Sequence, residues 1–477
     1  MKMLINGRTV DSSDGGVIVV TNPATGEFID NIPSATERDI KDAVKHARQA
    51  QKLWAKVPIN ERSAILMKFV AEVEADREVL ALLLSNETGK ALREARAEIY
   101  KICFGFTAFC EKVKHIYGEV IPAGTEPGQE RNIAMVQREP VGVVACIIPF
   151  NFPGNMITQK VAPALLCGNS AIIKPATDNP LTLCRLALML QQAGVTPGAI
   201  QVVTGRGSTV GTWLCSDPGV NLVTLTGSTE VGIETAKVCA ENLTRVSLEL
   251  GGNDAFIVMD DADLDLAAEE AVAGRMANSG QVCSAPKRFL VQRGRTAEFE
   301  QKVISRLSAI KQGTPDKEDT TMGCLISEKA ACEVEEQVNR IIEQGGRLLF
   351  GGKRDGAFYT PTLVTDVPKT AEVASDAEIF GPVMPIIPFD TEEEAVEIAN
   401  NSIYGLSGAV FSRDIKTAFR MLNALDTGMV VINGSGNQRT IEMPFGGYKK
   451  SGIGTEGVIS TFEEMTRKKT IVLKNIL

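Results

Sequence analysis

The sequence predicts an α/β protein in which parallel sheets are covered by helices on both faces. Three observations carry that expectation. From about residue 140 onward, short apolar and β-branched runs alternate with stretches of helical period. Several of those runs end in glycine-bearing turns. At 477 residues the chain is also longer than one ordinary core, so two to three domains are expected.

Residues 38–118 read as helices, with Ile40, Val44 and Ala47, then Ile65, Phe69 and Val73, at helical spacing. Residues 119–139, "EVIPAGTEPGQERNIAMVQRE", lack that period and read as an extended arm or hairpin. "VGVVACII", "SAIIK", "AIQVV", "NLVTLTG", "AFIVM" and "RFLVQ" follow as strands separated by helical stretches. A second alternating block runs from about 288 to 432 and ends in "GMVVIN". The C-terminal "TRKKTIVLKN" reads as a lone amphipathic strand after a polar helix. Such a strand exposes unpaired backbone groups, so pairing with the arm or across a subunit boundary is expected.

Composition removes several function classes. A net charge of −9 argues against a general nucleic-acid or anionic-membrane surface. The longest apolar run is about ten residues and ends at Pro149, too short for a membrane span. The ten cysteines are scattered without a CxxC pair, which fits a reducing cytoplasm and neither a zinc ribbon nor a redox motif. The N-terminal "MKMLINGRTVDSS" lacks a signal-peptide apolar core. Only two histidines are present, His46 and His115, both in helix-like polar contexts, so histidine triads and histidine-ligated metals are not expected. Acid–base work falls to carboxylates, and no metal is called for.

Cys283 stands apart from the other thiols. It lies in "NSGQVCSAPKR", a small-residue turn of the kind that offers an accessible sulfur and nearby backbone donors. "SLELGGND" supplies Glu249, a carboxylate able to serve as its base. Asn151, between Phe150 and Phe152 in "CIIPFNFPGN", is either a turn-former or an oxyanion donor aimed at Cys283. Lys174 ends the strand "SAIIK", where a charge meets either solvent or an anion or ribose. "VVTGRGSTVG" offers Gly207 and Gly211, and "LTGSTEVG" offers Gly227, Ser228 and Gly232. Neither is GxGxxG, yet two such turns in one βαβ block fit a dinucleotide at strand ends and helix N-termini.

Taken in order, "PFNFP", "LTGSTEVG", "LELGG", "NSGQVCS", "EIFGPV" and "PFGGYKKSGIG" resemble the successive signatures of the aldehyde dehydrogenase superfamily. The resemblance implies a Rossmann-like cofactor domain (1–118 and 140–250), an α/β catalytic domain (251–432) and a small oligomerisation arm (119–139 and 455–477), in homodimers or homotetramers. It implies Cys283 as nucleophile, Asn151 as donor to the thiohemiacetal oxyanion and Glu249 as the base that activates water against the thioester. It places Lys174 on the adenosine ribose, Ser228 on the pyrophosphate, and Glu378 with Phe380 on the nicotinamide ribose. NAD or NADP is the implied cofactor and a small aldehyde the implied substrate. Glu249 favours hydrolysis to the acid over transfer to coenzyme A.

Departures from the family pattern refine these expectations. Thr177 stands where NAD-using relatives carry a glutamate, which removes a charge that would repel a 2′-phosphate and makes NADP a live expectation. Phe150 replaces a tryptophan, a feature shared with non-phosphorylating glyceraldehyde-3-phosphate dehydrogenases. Val282 and Phe152, however, stand where those enzymes tend to carry an arginine and a tyrosine, so a phosphorylated substrate is less well explained. Arg439 is either an anion contact for the substrate or a surface loop charge. The expected substrate is a short hydroxy- or carboxy-substituted aldehyde, lactaldehyde-like first, with succinate semialdehyde or glyceraldehyde 3-phosphate as rivals. A catalytically silent structural relative would show damage at Cys283, Glu249 or Asn151, and all three are intact.

Overall fold

The structure, a computed structural model, describes residues 1–476. Two large sheets and a three-stranded one organise the described residues, with three two-stranded sheets beside them. The first has eight strands, in spatial order Arg8–Val10, Met3–Ile5, Ile200–Val202, Ser170–Lys174, Val143–Ile147, Leu222–Thr226, Arg245–Glu249 and Gly452–Ile453. From Ile200–Val202 to Arg245–Glu249 the strands run parallel. Ser170–Lys174 is buried along its whole length, as expected of a parallel strand covered on both faces. The order reverses between Val143–Ile147 and Leu222–Thr226, and in open α/β sheets ligands bind at the strand C-termini beside such a reversal.

The second sheet has seven strands, in order Arg347–Phe350, Thr362–Thr365, Val383–Phe389, Pro286–Gln292, Asp254–Val258, Ser407–Phe411 and Met429–Ile432. All of its pairs are parallel except the first. Only residues 250–253 separate the end of Arg245–Glu249 from the start of Asp254–Val258. The C-terminal edge of the first sheet therefore meets the N-terminal edge of the second, and this seam holds the site described below.

The helical block resolves into Glu37–Trp54, Ile59–Ala75, Arg77–Thr88 and Leu92–Lys112. Thr36 opens the first with a capping box to Asp39. Trp54, Phe69, Phe106 and Phe109 from these helices are fully buried in the core under the first sheet. In the third sheet Thr466–Leu473 pairs antiparallel with Ile133–Pro140 from end to end, and Glu119–Ile121 lies on the other side. The C-terminal strand thus finds its partner in the arm of the same chain.

Two differences from the sequence reading have clear causes. Strands within residues 1–37 were not expected: Met3–Ile5 and Arg8–Val10 join the first sheet, and Val17–Thr21 pairs with Phe28–Pro33. Asn6-Gly7 between the first two has positive φ at both residues, the two-residue hairpin signal. The helix Val458–Glu464 is not a polar element of the arm, because it buries Val458 and Phe462 in the core beneath the first sheet. Only Thr466–Leu473 in that region belongs to the arm sheet.

Deleting residues 466–477 uncovers one whole edge of Ile133–Pro140, a long unpaired strand of the kind that promotes association. The truncated chain is expected to melt earlier and to elute as aggregate in size-exclusion chromatography. An unchanged melting temperature and elution volume would contradict this.

Candidate active site

Asn151 follows the strand Val143–Ile147 and is buried. Its Nδ2 donates to the Gln281 carbonyl at 3.0 Å, and its Oδ1 accepts from the Phe152 amide at 3.0 Å. The second contact fixes the orientation of the amide. The first spends one of its two N–H groups on the loop that carries Cys283 and leaves the other to point elsewhere.

That loop is held in an unusual backbone. Asn278, Ser279 and Gly280 all have positive φ, at 47°, 56° and 79°. A Cβ at Gly280 would sit 2.2 Å from the Gly381 carbonyl oxygen, so only glycine fits there. Lys287, fully buried, donates to the Val282 and Cys283 carbonyls at 3.0 and 2.5 Å and pairs with Glu378 at 3.2 Å. Arg275, also fully buried, donates to the carbonyls of Val383 and Ile379, each at 2.7 Å. The "EIFGPV" segment is thereby fixed beside the cysteine loop, and Phe380 meets Phe150 edge-on at 5.9 Å.

Cys283 itself is half-buried, and Val282 beside it is buried. Burial pushes the Cys283 thiol up to about 11; Lys287 and Arg439 act to lower it, while Glu249 and Asp254 raise it. The sulfur of this turn is thus only partly accessible, and burial favours its neutral form beside the Lys287 cation.

Glu249 closes the strand Arg245–Glu249, 5% exposed, with neither carboxylate oxygen hydrogen-bonded to protein. Its pKa lies well above the ordinary carboxylate range, first through burial and then through repulsion by Glu456. Glu456 takes the opposite direction. Burial works against its charge, but Lys160 at 3.0 Å and Arg439 at 3.3 Å together hold it below the usual value. Lys160 also donates to Thr224 Oγ1 at 3.0 Å. Arg439 is therefore no surface loop charge. It stacks 4.1 Å over Phe445, and its Nε has no partner.

The residues expected at the adenosine ribose and pyrophosphate lie at the C-terminal ends of the first sheet's strands, whereas Glu378 and Phe380 come from the loop before Val383–Phe389 in the second sheet. Lys174 is 4% exposed, and burial brings its pKa down to about 8, with Asp178 acting to raise it. A Cβ on Gly207 would lie 3.8 Å from Lys174 Nζ. Gly207–Gly211 forms one wide helical turn that leads into the helix Thr212–Ser216. Thr177 donates to the Gly205 carbonyl at 3.3 Å. Ser228 caps the helix Thr229–Ala240, with Gly227 just before it. Gly232 is buried, and a Cβ there would lie 2.4 Å from Leu250, so its part is to let this helix approach the strand. An exposed helix start, a largely buried lysine and a glycine beside it fit a bound dinucleotide.

Sequence reasoning missed Lys160, Glu456 and Lys287. Two had a signal: Lys160 is a lone charge in the apolar helix Pro153–Leu166, and Lys287 sits at the head of the apolar strand Pro286–Gln292. Among the described residues no three histidine, cysteine or acidic side chains cluster as metal ligands, and no helix is long and apolar enough to cross a membrane.

A dinucleotide-type sheet joined at its C-terminal edge to a cysteine loop and a buried carboxylate defines the class, a nucleotide-linked oxidoreductase. The chain belongs to the aldehyde dehydrogenase family, which matches residues 9–471. It is 40% identical to a glutarate-semialdehyde dehydrogenase of Pseudomonas putida over 95% of this chain and 93% of that one. It is 38% identical to a 3-sulfolactaldehyde dehydrogenase of Pseudomonas putida, over 99% and 96% of the two chains. Among solved structures, an NADP-dependent enzyme of E. coli superposes with a TM-score of 0.96 at 38% identity, covering 99% of this chain and 98% of that one. Betaine aldehyde dehydrogenase of Staphylococcus aureus in complex with NAD+ gives 0.95 at 36% identity, over 100% and 95%. The protein has the aldehyde dehydrogenase fold and is an NAD(P)-dependent aldehyde dehydrogenase.

Alkylation of Cys283 by iodoacetamide requires the thiolate, so its rate is expected to rise about tenfold per pH unit from neutrality toward about pH 11. Peptide mapping after timed labelling measures it. A rate that levels off near neutral pH would contradict the burial of this thiol.

Proposed function

We propose that the protein oxidises a short aldehyde bearing a hydroxyl or anionic group to its carboxylic acid, through a thiohemiacetal and then a thioester on Cys283. The carrying observation is the seam itself: a half-buried thiol beside a buried carboxylate with no protein partner, joined to an amide tethered to the same loop. Addition of the Cys283 sulfur to the carbonyl carbon puts negative charge on the aldehyde oxygen. The free N–H of Asn151 and the Cys283 amide are the donors for it, and loss of one such donor typically costs ~3–4 kcal/mol.

Lys174, Gly207, Gly211, Gly227, Ser228, Glu378 and Phe380 are the residues that would hold NAD or NADP; when bound, its nicotinamide supplies the two-electron acceptor. Glu249 acts on the acyl group left on sulfur. Its high pKa suits a base that takes a proton from water, and its lack of protein partners leaves both oxygens free for that water. The base must be ionised to act, so hydrolysis speeds up as pH rises through its raised pKa.

The substrate reading draws on the relatives, a semialdehyde and a sulfolactaldehyde dehydrogenase, whose named substrates carry an anion. A lactaldehyde-like compound keeps the hydroxyl without the charge. Arg439 has an unpartnered Nε for an anionic tail, whereas Val282 and Phe152 offer a phosphate no hydrogen bond.

A panel of lactaldehyde, succinate semialdehyde and glyceraldehyde 3-phosphate, followed by reduced-nicotinamide absorbance with each cofactor, tests the reading. Cys283→Ala is expected to abolish turnover, and Glu249→Gln to give one burst of reduced cofactor followed by a stalled acyl-enzyme. Dehydrogenase activity in Cys283→Ala would refute the nucleophile; steady turnover in Glu249→Gln would refute the base.

Cofactor choice rests on two neighbours. Thr177 brings no charge, yet Asp178 lies near enough to Lys174 for their charges to interact. Asp178→Ala is therefore expected to raise kcat/KM for NADP relative to NAD. A ratio unmoved by the substitution would remove Asp178 from the argument.

A further inference from the structure

One buried ion pair near the seam has no part in the chemistry so far. Lys90 and Glu98 are 0% and 2% exposed and bonded to each other. Replacing a buried pair with apolar side chains is often neutral or stabilising, so stability alone is a weak reason for it. Its geometry is more telling. Lys90 Nζ donates to the Asn151 carbonyl at 2.7 Å and sits 4.2 Å over the Phe152 ring. Glu98 Oε1 accepts from the Gly154 amide at 2.7 Å. The pair thus grips residues 151–154 from both ends.

The helix Leu92–Lys112, which carries Glu98 and starts two residues after Lys90, also reaches the other loop. Glu94 accepts from the Asn278 amide at 2.8 Å, and Asn278 Nδ2 donates back to the Asn151 carbonyl at 3.0 Å. Both loops of the site are therefore referred to one rigid element.

We propose that Lys90 and Glu98 are positioning residues that hold the Asn151 loop in the register its side-chain amide needs to meet an oxyanion on Cys283, with Glu94 tying the cysteine loop to the same helix. The inference rests on the role assigned to Asn151 above. One N–H of that amide is committed to Gln281, so the direction of the other is set by the backbone that Lys90 and Glu98 hold. A displacement of about 1 Å at such a group costs up to about a hundredfold in rate.

The test uses the paired variant Lys90→Met/Glu98→Gln, which buries no lone charge, and Glu98→Gln alone, which keeps an acceptor for the Gly154 amide. Each is made in the wild-type and Asn151→Ala backgrounds. Three quantities are read: kcat at saturating aldehyde and cofactor, KM for the cofactor, and the rate of Cys283 alkylation by iodoacetamide. Alkylation forms no oxyanion and so does not use Asn151.

The expected result for the paired variant is a fall in kcat of about tenfold to a hundredfold, with cofactor KM and alkylation rate unchanged. In the Asn151→Ala background the same substitutions should lower kcat little further. An equal loss in both backgrounds, or no loss in either, overturns the proposal. Parallel losses in alkylation and cofactor binding overturn it as well, since they mark general disruption. If circular dichroism shows the paired variant unfolded, Glu98→Gln alone is judged by the same criteria. Should Asn151→Ala itself leave kcat intact, the assigned role of Asn151 fails first and this proposal falls with it.

Discussion

The removal of charged groups from water along one seam is the constraint on which the site depends. Lys90, Lys160 and Lys287 are each essentially buried, and each faces a glutamate. Burying a charge costs several kcal/mol unless partners and hydrogen bonds offset it. In each case they do: Lys160 has Thr224 as well as Glu456, and Lys287 has two loop carbonyls as well as Glu378. The offset decides which carboxylate keeps its charge. Glu456 lies against Lys160 and Arg439 and stays ionised, whereas Glu249 has burial and a like charge against it and no direct partner. Two interacting buried carboxylates diverge in pKa, and Glu249 is the one pushed upward, which favours its protonated form.

The same dryness acts on the thiol. Burial and Glu249 hold Cys283 in its neutral form, while Lys287 and Arg439 pull toward the thiolate. With Glu249 itself inclined to carry a proton, its repulsion of the sulfur weakens, so the states of the two groups are linked. A carboxylate that accepts a proton eases ionisation of its neighbour, a coupling that belongs to the pair rather than to either residue.

Much of this was legible in the sequence, for physical reasons that differ by element. The buried parallel strands showed as continuous apolar runs, since neither face needs polar residues. Cys283, Glu249 and Asn151 stood out because a small-residue turn, a strand-end acid and an amide between two phenylalanines each break the pattern of a core. Three features were not readable. The strands among residues 1–37 are short, all but Met3–Ile5 are partly or largely exposed, and their only local sign was Asn6-Gly7. Glu456 pairs with Lys160 across 296 positions, a contact without local signature. Arg439 lies in a loop whose residues suggest solvent, and only the folded chain stacks it on Phe445.

The short crossing between the sheets shows why chemistry and architecture share one motif. Residues 250–253 must carry the chain from the end of one sheet to the start of the next while the cysteine loop and "EIFGPV" crowd against them. A Cβ on Gly251 would lie 2.4 Å from Glu378 Oε2, and one on Gly252 would lie 3.0 Å from the Cys283 carbonyl oxygen. Side chains there would push the acid away from the thiol's loop. "LELGGND" is thus two constraints written together: Glu249 as the last residue of one strand, and two glycines that let the second sheet and the Cys283 loop pack close beside that carboxylate.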